Sequence, residues 1–218
     1  MSNEMLNLLF NGTLETIYMI VVSGFISVLF GLPLGIILFI TQKNNILENK
    51  FYNKSLGMIV NIIRAIPFII LLVALVPFTR LIVGSAIGIN AAIVPLSIGA
   101  IPFVARIVEN ALTEVGQGLI EAGQAMGASP LQIIKKILLP EALPSIINGI
   151  TVILISLVGY SAMAGAVGGG GLGSVAINYG YLRFEPKIML GTVIILILLV
   201  YLLQFLGELL SRKFNYKV

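Results

Sequence analysis

No charged residue occurs between Glu15 and Lys43, between Arg64 and Arg80, between Arg80 and Arg106, between Glu141 and Arg183, or between Lys187 and Glu208. Uncharged stretches this long and this rich in Ile, Leu and Val suit the hydrocarbon core of a bilayer, which takes about 20 apolar helical residues per crossing. Lipid offers backbone N–H and C=O groups no partner, so such stretches have to be helical rather than looped. The gaps predict an all-α integral membrane chain with five transmembrane helices, at about 17–40, 56–79, 87–108, 145–167 and 187–209, in one membrane domain over 12–210.

Composition agrees with a membrane solvent. Hydrophobic residues make up 58% of the chain and charged ones only 10%, against about 25% charged in an average soluble domain. Histidine, cysteine, tryptophan and aspartate are absent. The usual general base, thiol nucleophile and soft metal ligands are therefore missing, and no catalytic or metal site is expected. The net charge of +4 is spread over scattered basic residues, which gives no stripe for nucleic acid. The segment MSNEMLNLLFNG has no basic region and no small-residue cleavage pattern, so it is not expected to be a removable signal peptide.

Basic residues also set an orientation. In a five-span arrangement, Lys43, Lys50, Lys54, Arg64, Arg106, Lys135, Lys136, Arg212, Lys213 and Lys217 fall on one side, and only Arg80, Arg183 and Lys187 on the other. By the positive-inside rule, the Lys-rich loops and the C-terminus are cytoplasmic and the N-terminus lies outside.

Inside the spans, three features stand out. Arg64 lies within the second hydrophobic stretch, where a centred arginine costs about 2.5–3.5 kcal/mol on insertion scales. It reads either as an interfacial anchor or as half of a cytoplasmic-side ion pair, with Glu109 or Glu114 as partner. Pro33, Pro67, Pro77, Pro95 and Pro102 remove helical donors and favour kinks, as in a moving bundle with a pathway. Gly31 and Gly35, like Gly165 and Gly169, form small-xxx-small pairs that permit close helix packing. The run from Ala164 to Ser174 (AGAVGGGGLGS) lacks the Lys-Ser/Thr and the strand of a phosphate loop. It reads as backbone that ends the fourth helix, lines a cavity mouth and leads to Tyr179, Tyr181 and Phe184 at the outer interface.

The longest stretch between spans, 109–143, predicts two short helices at a corner. Leu119, Ala122 and Met126 share a face of the first, which breaks at Gly127. Ser129 is a good N-cap for the second, Pro130 fits its first position, and Gln132 completes a capping box. Leu131, Ile134 and Leu138 would form its apolar stripe, with Lys135 and Lys136 off it. Such an elbow either lies on lipid or docks on a protein, and its small, weakly charged first helix favours a protein cleft.

The spacing Glu121-Ala122-Gly123, three residues, Gly127, nine residues, Ile137, one residue, Leu139-Pro140 resembles the cytoplasmic signature loop of ABC importer permeases. Gly123 departs from that pattern, although it is still small. The stretches Arg64-Ala65-Ile66-Pro67-Phe68, Pro77-Phe78-Thr79-Arg80 and Gly159-Tyr160-Ser161-Ala162-Met163 are similar to the methionine-uptake branch of that family. The resemblance implies a type I importer fold whose elbow is a coupling helix seated in an ATP-hydrolysing subunit. By this resemblance Glu121, Ala122, Gly123 and Gly127, with Met126 and Ser129 beside them, would contact the ATPase. It also implies a homodimer of this chain, two ATPase subunits that hold the ATP and Mg, and an extracytoplasmic substrate-binding lipoprotein, assembled in a bacterial inner membrane. Tyr160, Ser161 and Met163 are candidates for lining the route, with packing as the alternative reading for Met163. Two rivals are weaker: a channel needs a selectivity ring that only the glycine run could supply, and an intramembrane enzyme needs paired polar residues inside the spans.

Overall fold

The computed structural model describes residues 3–214, so Lys217 lies outside the described residues. The elements run in the order α1 Asn3–Ile40, α2 Lys50–Ala65, α3 Phe68–Ala74, α4 Val76–Val83, α5 Ile89–Thr113, α6 Gln117–Ala125, α7 Pro130–Ile133, α8 Leu139–Ala164, α9 Gly171–Val175 and α10 Pro186–Phe214. π-Helical stretches at Ile134–Leu138, Gly165–Gly169 and Ala176–Tyr181 join α7 to α8 and flank α9. Among the described residues, four helices are long and apolar enough to cross a bilayer, and counting the bent pair α2 and α3 as one span makes five.

The centre of the bundle is the seam between α1 and α5, the most extensive helix contact in the chain. Gly31 and Gly35 let α1 approach α5 so closely that a Cβ at Gly35 would lie 2.5 Å from the Ala105 carbonyl oxygen. Met19, Leu96, Val104, Val108 and Leu112 are fully buried along this seam. Polar residues there are satisfied locally: the Ser27 hydroxyl donates to Ser23 O on its own helix (2.6 Å) and reaches Ser97 O on α5 (3.2 Å).

Two spans differ from expectation for identifiable reasons. Helix α1 starts at Asn3 rather than near Ile17. Glu15 does not stop it, because its carboxylate accepts the Gly171 N–H at 2.7 Å and the charge is held inside the fold. The second span is not one helix over 56–79. Ile66 is extended (φ −79°, ψ 124°) ahead of Pro67, and the chain turns by 101° between α2 and α3. The clash of the proline ring with the preceding residue disfavours helix there, and at Ile66 the chain yields to it. Pro77 sits in the first turn of α4, where its missing donor costs nothing, and Pro33, Pro95, Pro102 and Pro144 are absorbed within continuous helices.

The ends of the bundle are chemically distinct. One carries the turn 41–49, the start of α2, the elbow of α6 and α7, and the end of α10, where Ser211 donates to Pro144 O at 3.2 Å. The Lys-rich segments gather at this end. The other carries the α4–α5 turn, α9 and the start of α10, and holds Arg80, Arg183 and Lys187.

Candidate functional site

The elbow is built by local rules. The α6 helix ends at Met126, and Gly127 reverses the chain in the left-handed region (φ +77°), which a side chain would resist. Ser129 then caps α7: its hydroxyl accepts the Gln132 N–H (3.4 Å), and the Gln132 side chain accepts the Ser129 N–H (2.8 Å). The reciprocal pair fixes the angle at which the chain enters α7.

Folding back puts α6 against the π-helical stretch. Ile120 and Gly123 face inward, and a Cβ at Gly123 would come within 2.8 Å of Ile137 Cδ1. The opposite face, Leu119, Ala122 and Met126, is exposed, with Met126 at 87%. Glu121, Gly127 and Ser129 are exposed as well. Five of the six expected contact residues are exposed within this chain, and the sixth, Gly123, is buried. Gly123 is small because Ile137 of the same chain occupies the space beside it. The stripe of α7 also needs correction: Ile133 and Leu138 are buried, whereas Leu131 is 59% exposed. The wider turn of the π-helical stretch rotates the apolar face away from the 3.6-residue period.

Beside the exposed face lies a polar cavity of about 340 Å³, lined by Gln42, Lys43, Asn44, Gln117, Glu121 and Gln124. The turn after α1 therefore shares a surface with the elbow, which sequence reading missed because those segments are about 70 residues apart.

At the root of the elbow, Arg106 and Glu109 are paired at 2.6 Å, and Gln42 donates to the same carboxylate at 2.9 Å. Arg106 also reaches Asn61 Oδ1 (3.0 Å) and Gly57 O (3.3 Å), tying α5 to α2. The expected pair of Arg64 with Glu109 is not formed, because Arg106 sits one helical turn away on the same face and takes the carboxylate first. Glu114 accepts instead from Ser145 (2.9 Å). Arg64 lies over the Phe103 ring, 5.0 Å from its centre. We expect Arg106→Ala to cost about 2–3 kcal/mol, since it leaves the buried Glu109 carboxylate with Gln42 as its remaining side-chain donor. Thermal unfolding in detergent measures this, and a shift no larger than that of a surface Lys→Ala control contradicts it.

The expected route residues separate. Ser161 is buried and donates to Val158 O of its own helix at 2.8 Å. Met163 is 46% exposed. Tyr160 stacks on Phe68 (4.4 Å between centres, 11°) beside the α2–α3 turn. At the far end the glycine run is packed rather than loose. Gly168, Gly170 and Gly171 have positive φ, and α1 clasps the turn through Glu15 to Gly171 N and Thr16 Oγ1 to Leu172 N (2.8 Å). Gly169 and Val167 line a small cavity of about 90 Å³ with Pro95 and Thr79. Among the described residues, no three metal-ligating side chains converge.

A helical membrane bundle with an exposed elbow has many possible roles, and comparison with known proteins narrows them. The chain belongs to the binding-protein-dependent transport system inner membrane component family, whose pattern matches residues 27–216. It is 55% identical over 211 residues to the probable D-methionine transport system permease of Vibrio cholerae, covering 97% of this chain and 94% of that protein. It is 56% identical over 165 residues to the D-methionine transport system permease of Escherichia coli K12, 76% of each chain. A solved structure described as an inward-facing conformation of the MetNI methionine ABC transporter matches with a TM-score of 0.97 and 52% identity, over 99% of this chain and 100% of that one. An amino acid ABC transporter, 21% identical with a TM-score of 0.75, shares the fold. The expected importer class, with its type I permease fold, is borne out.

Proposed function

We propose that this chain is the permease subunit of an ATP-driven importer of D- and L-methionine. Two copies form the pathway, two ATPase subunits holding ATP and Mg seat on the elbows, and an extracytoplasmic binding lipoprotein delivers the substrate. The Lys-rich end faces the cytoplasm of a bacterial inner membrane and the N-terminus lies outside. The observation that carries this reading is the exposed Leu119–Ala122–Met126 face, on a chain that matches D-methionine permeases over nearly its whole length.

The geometry gives the elbow a way to act. Gly123 locks α6 onto Ile137, and Ile137 leads without a loop into α8. Displacement of the elbow by closing ATPase subunits therefore moves α8 as a rigid body, the motion that alternating access requires. Tyr160 and Met163, on the outer half of α8, would travel with it along the route. The test is methionine uptake into vesicles holding the full complex. Uptake should need internal ATP and added binding protein together; uptake without either contradicts the reading, as does competition by other amino acids but not by methionine.

A further inference from the structure

An arginine at bilayer depth is expensive and by default marks a functional site. Phe103, beneath the Arg64 guanidinium, lies about ten residues, or roughly 15 Å, from the Thr113 end of α5 and about 21 Å from its Ile89 end. Measured from the expected span end at 108, the guanidinium lies about five residues, or roughly 7.5 Å, inside the Lys-rich end of the span. It is exposed, and no carboxylate among the described residues pairs with it. It lines a cavity of about 210 Å³ with Ile66, Pro67, Phe68, Phe103 and Tyr160.

The cavity sits at a sharply broken span. The turn at Ile66–Pro67 takes the N–H groups of α3 away from the Arg64 and Ala65 carbonyls, which a continuous helix would have satisfied. Broken helices inside spans are where secondary transporters place substrate groups, because freed backbone and a fixed charge meet there. A guanidinium beside free carbonyls complements a zwitterion: two parallel N–H donors suit a carboxylate, and the carbonyls suit an ammonium. The stacked Phe68 and Tyr160 rings, with Phe103, form an apolar wall for a side chain. The volume falls below that of drug-sized pockets and suits one small molecule.

We propose that this cavity is a transient station for the carried amino acid, in which Arg64 binds the α-carboxylate and the Arg64–Ala65 carbonyls receive the α-ammonium. The proposal rests on the amino-acid importer reading and gives that pathway a specific stop. Arg64 is a substrate-binding residue here, not a structural one.

The test uses the full transporter in vesicles, with radiolabelled L-methionine, comparing wild type, Arg64→Gln and Arg64→Lys. Uptake should fall about tenfold in R64Q, remain within about threefold of wild type in R64K, and leave ATP hydrolysis and subunit assembly unchanged in both. Saturation-transfer NMR on the complex in nanodiscs, without binding protein, should show methionine contact in wild type that R64Q loses. Undiminished uptake in R64Q overturns the proposal, and so does equal loss of assembly in R64Q and R64K, the mark of a structural role. Wild-type uptake tests the methionine reading by itself. If another amino acid is carried, the R64Q ratio measured with that substrate still decides the station.

Discussion

Ala122→Glu is expected to release the ATPase from the solubilised complex, lowering co-purification at least tenfold, while the permease stays in the membrane at its normal level. Ala122 is exposed within this chain, so the longer side chain meets nothing of its own fold. In the docked complex it would place an unpaired carboxylate in a desolvated cleft fitted to the apolar Leu119–Ala122–Met126 face. Tenfold corresponds to about 1.4 kcal/mol, well inside the several kcal/mol effective penalty for burying one ion. Gly123→Leu separates docking from folding, since it strikes Ile137 and should loosen the elbow itself. If Ala122→Glu co-purifies with its ATPase as well as wild type does, the exposed face of α6 is not the docking face.

Gly35→Leu is expected to reduce the mature protein in membranes severalfold. Its Cβ would meet the Ala105 carbonyl at 2.5 Å and Val108 Cβ at 2.6 Å, while one turn earlier Gly31 already rests on Val104 and Ile101. Overpacking against side chains costs about 1–3 kcal/mol. Here the obstacle includes backbone that cannot change rotamer, so the seam must open along α1. Gly159→Ala is the matched control, because a Cβ at Gly159 meets nothing within 4 Å. Quantitative immunoblotting of membranes reads both, and normal accumulation of Gly35→Leu would show that the α1–α5 seam tolerates separation.

Charge-free gaps pointed to long apolar helices because hydrocarbon imposes one strong, linear demand on sequence. The Ser129 and Gln132 cap was equally legible, since its partners are three residues apart. What escaped reading depends on distant neighbours. Glu15 looked like the end of a span, yet Gly171 N–H accommodates it from 156 residues away. Five span prolines looked alike, but only Pro67 turns the chain sharply, because the others sit at a helix start or inside packed helices. Arg106 should have been preferred to Arg64 as the partner of Glu109, since an i, i+3 pair was visible in the sequence. The crowding of Gly123 by Ile137 was not visible either, because that contact is made only after the elbow folds back.

The route from Pro130 to Ala164 contains no break, so it is a strut about 50 Å long. A strut that tilts by about 10° swings its far tip through nearly 10 Å for motion of only an ångström or two near a pivot close to the elbow. The leverage favours amplification over force. Ending beside the glycine turn that Glu15 and Thr16 hold, such a lever would turn a small displacement at the elbow into a large one at the opposite end of the bundle.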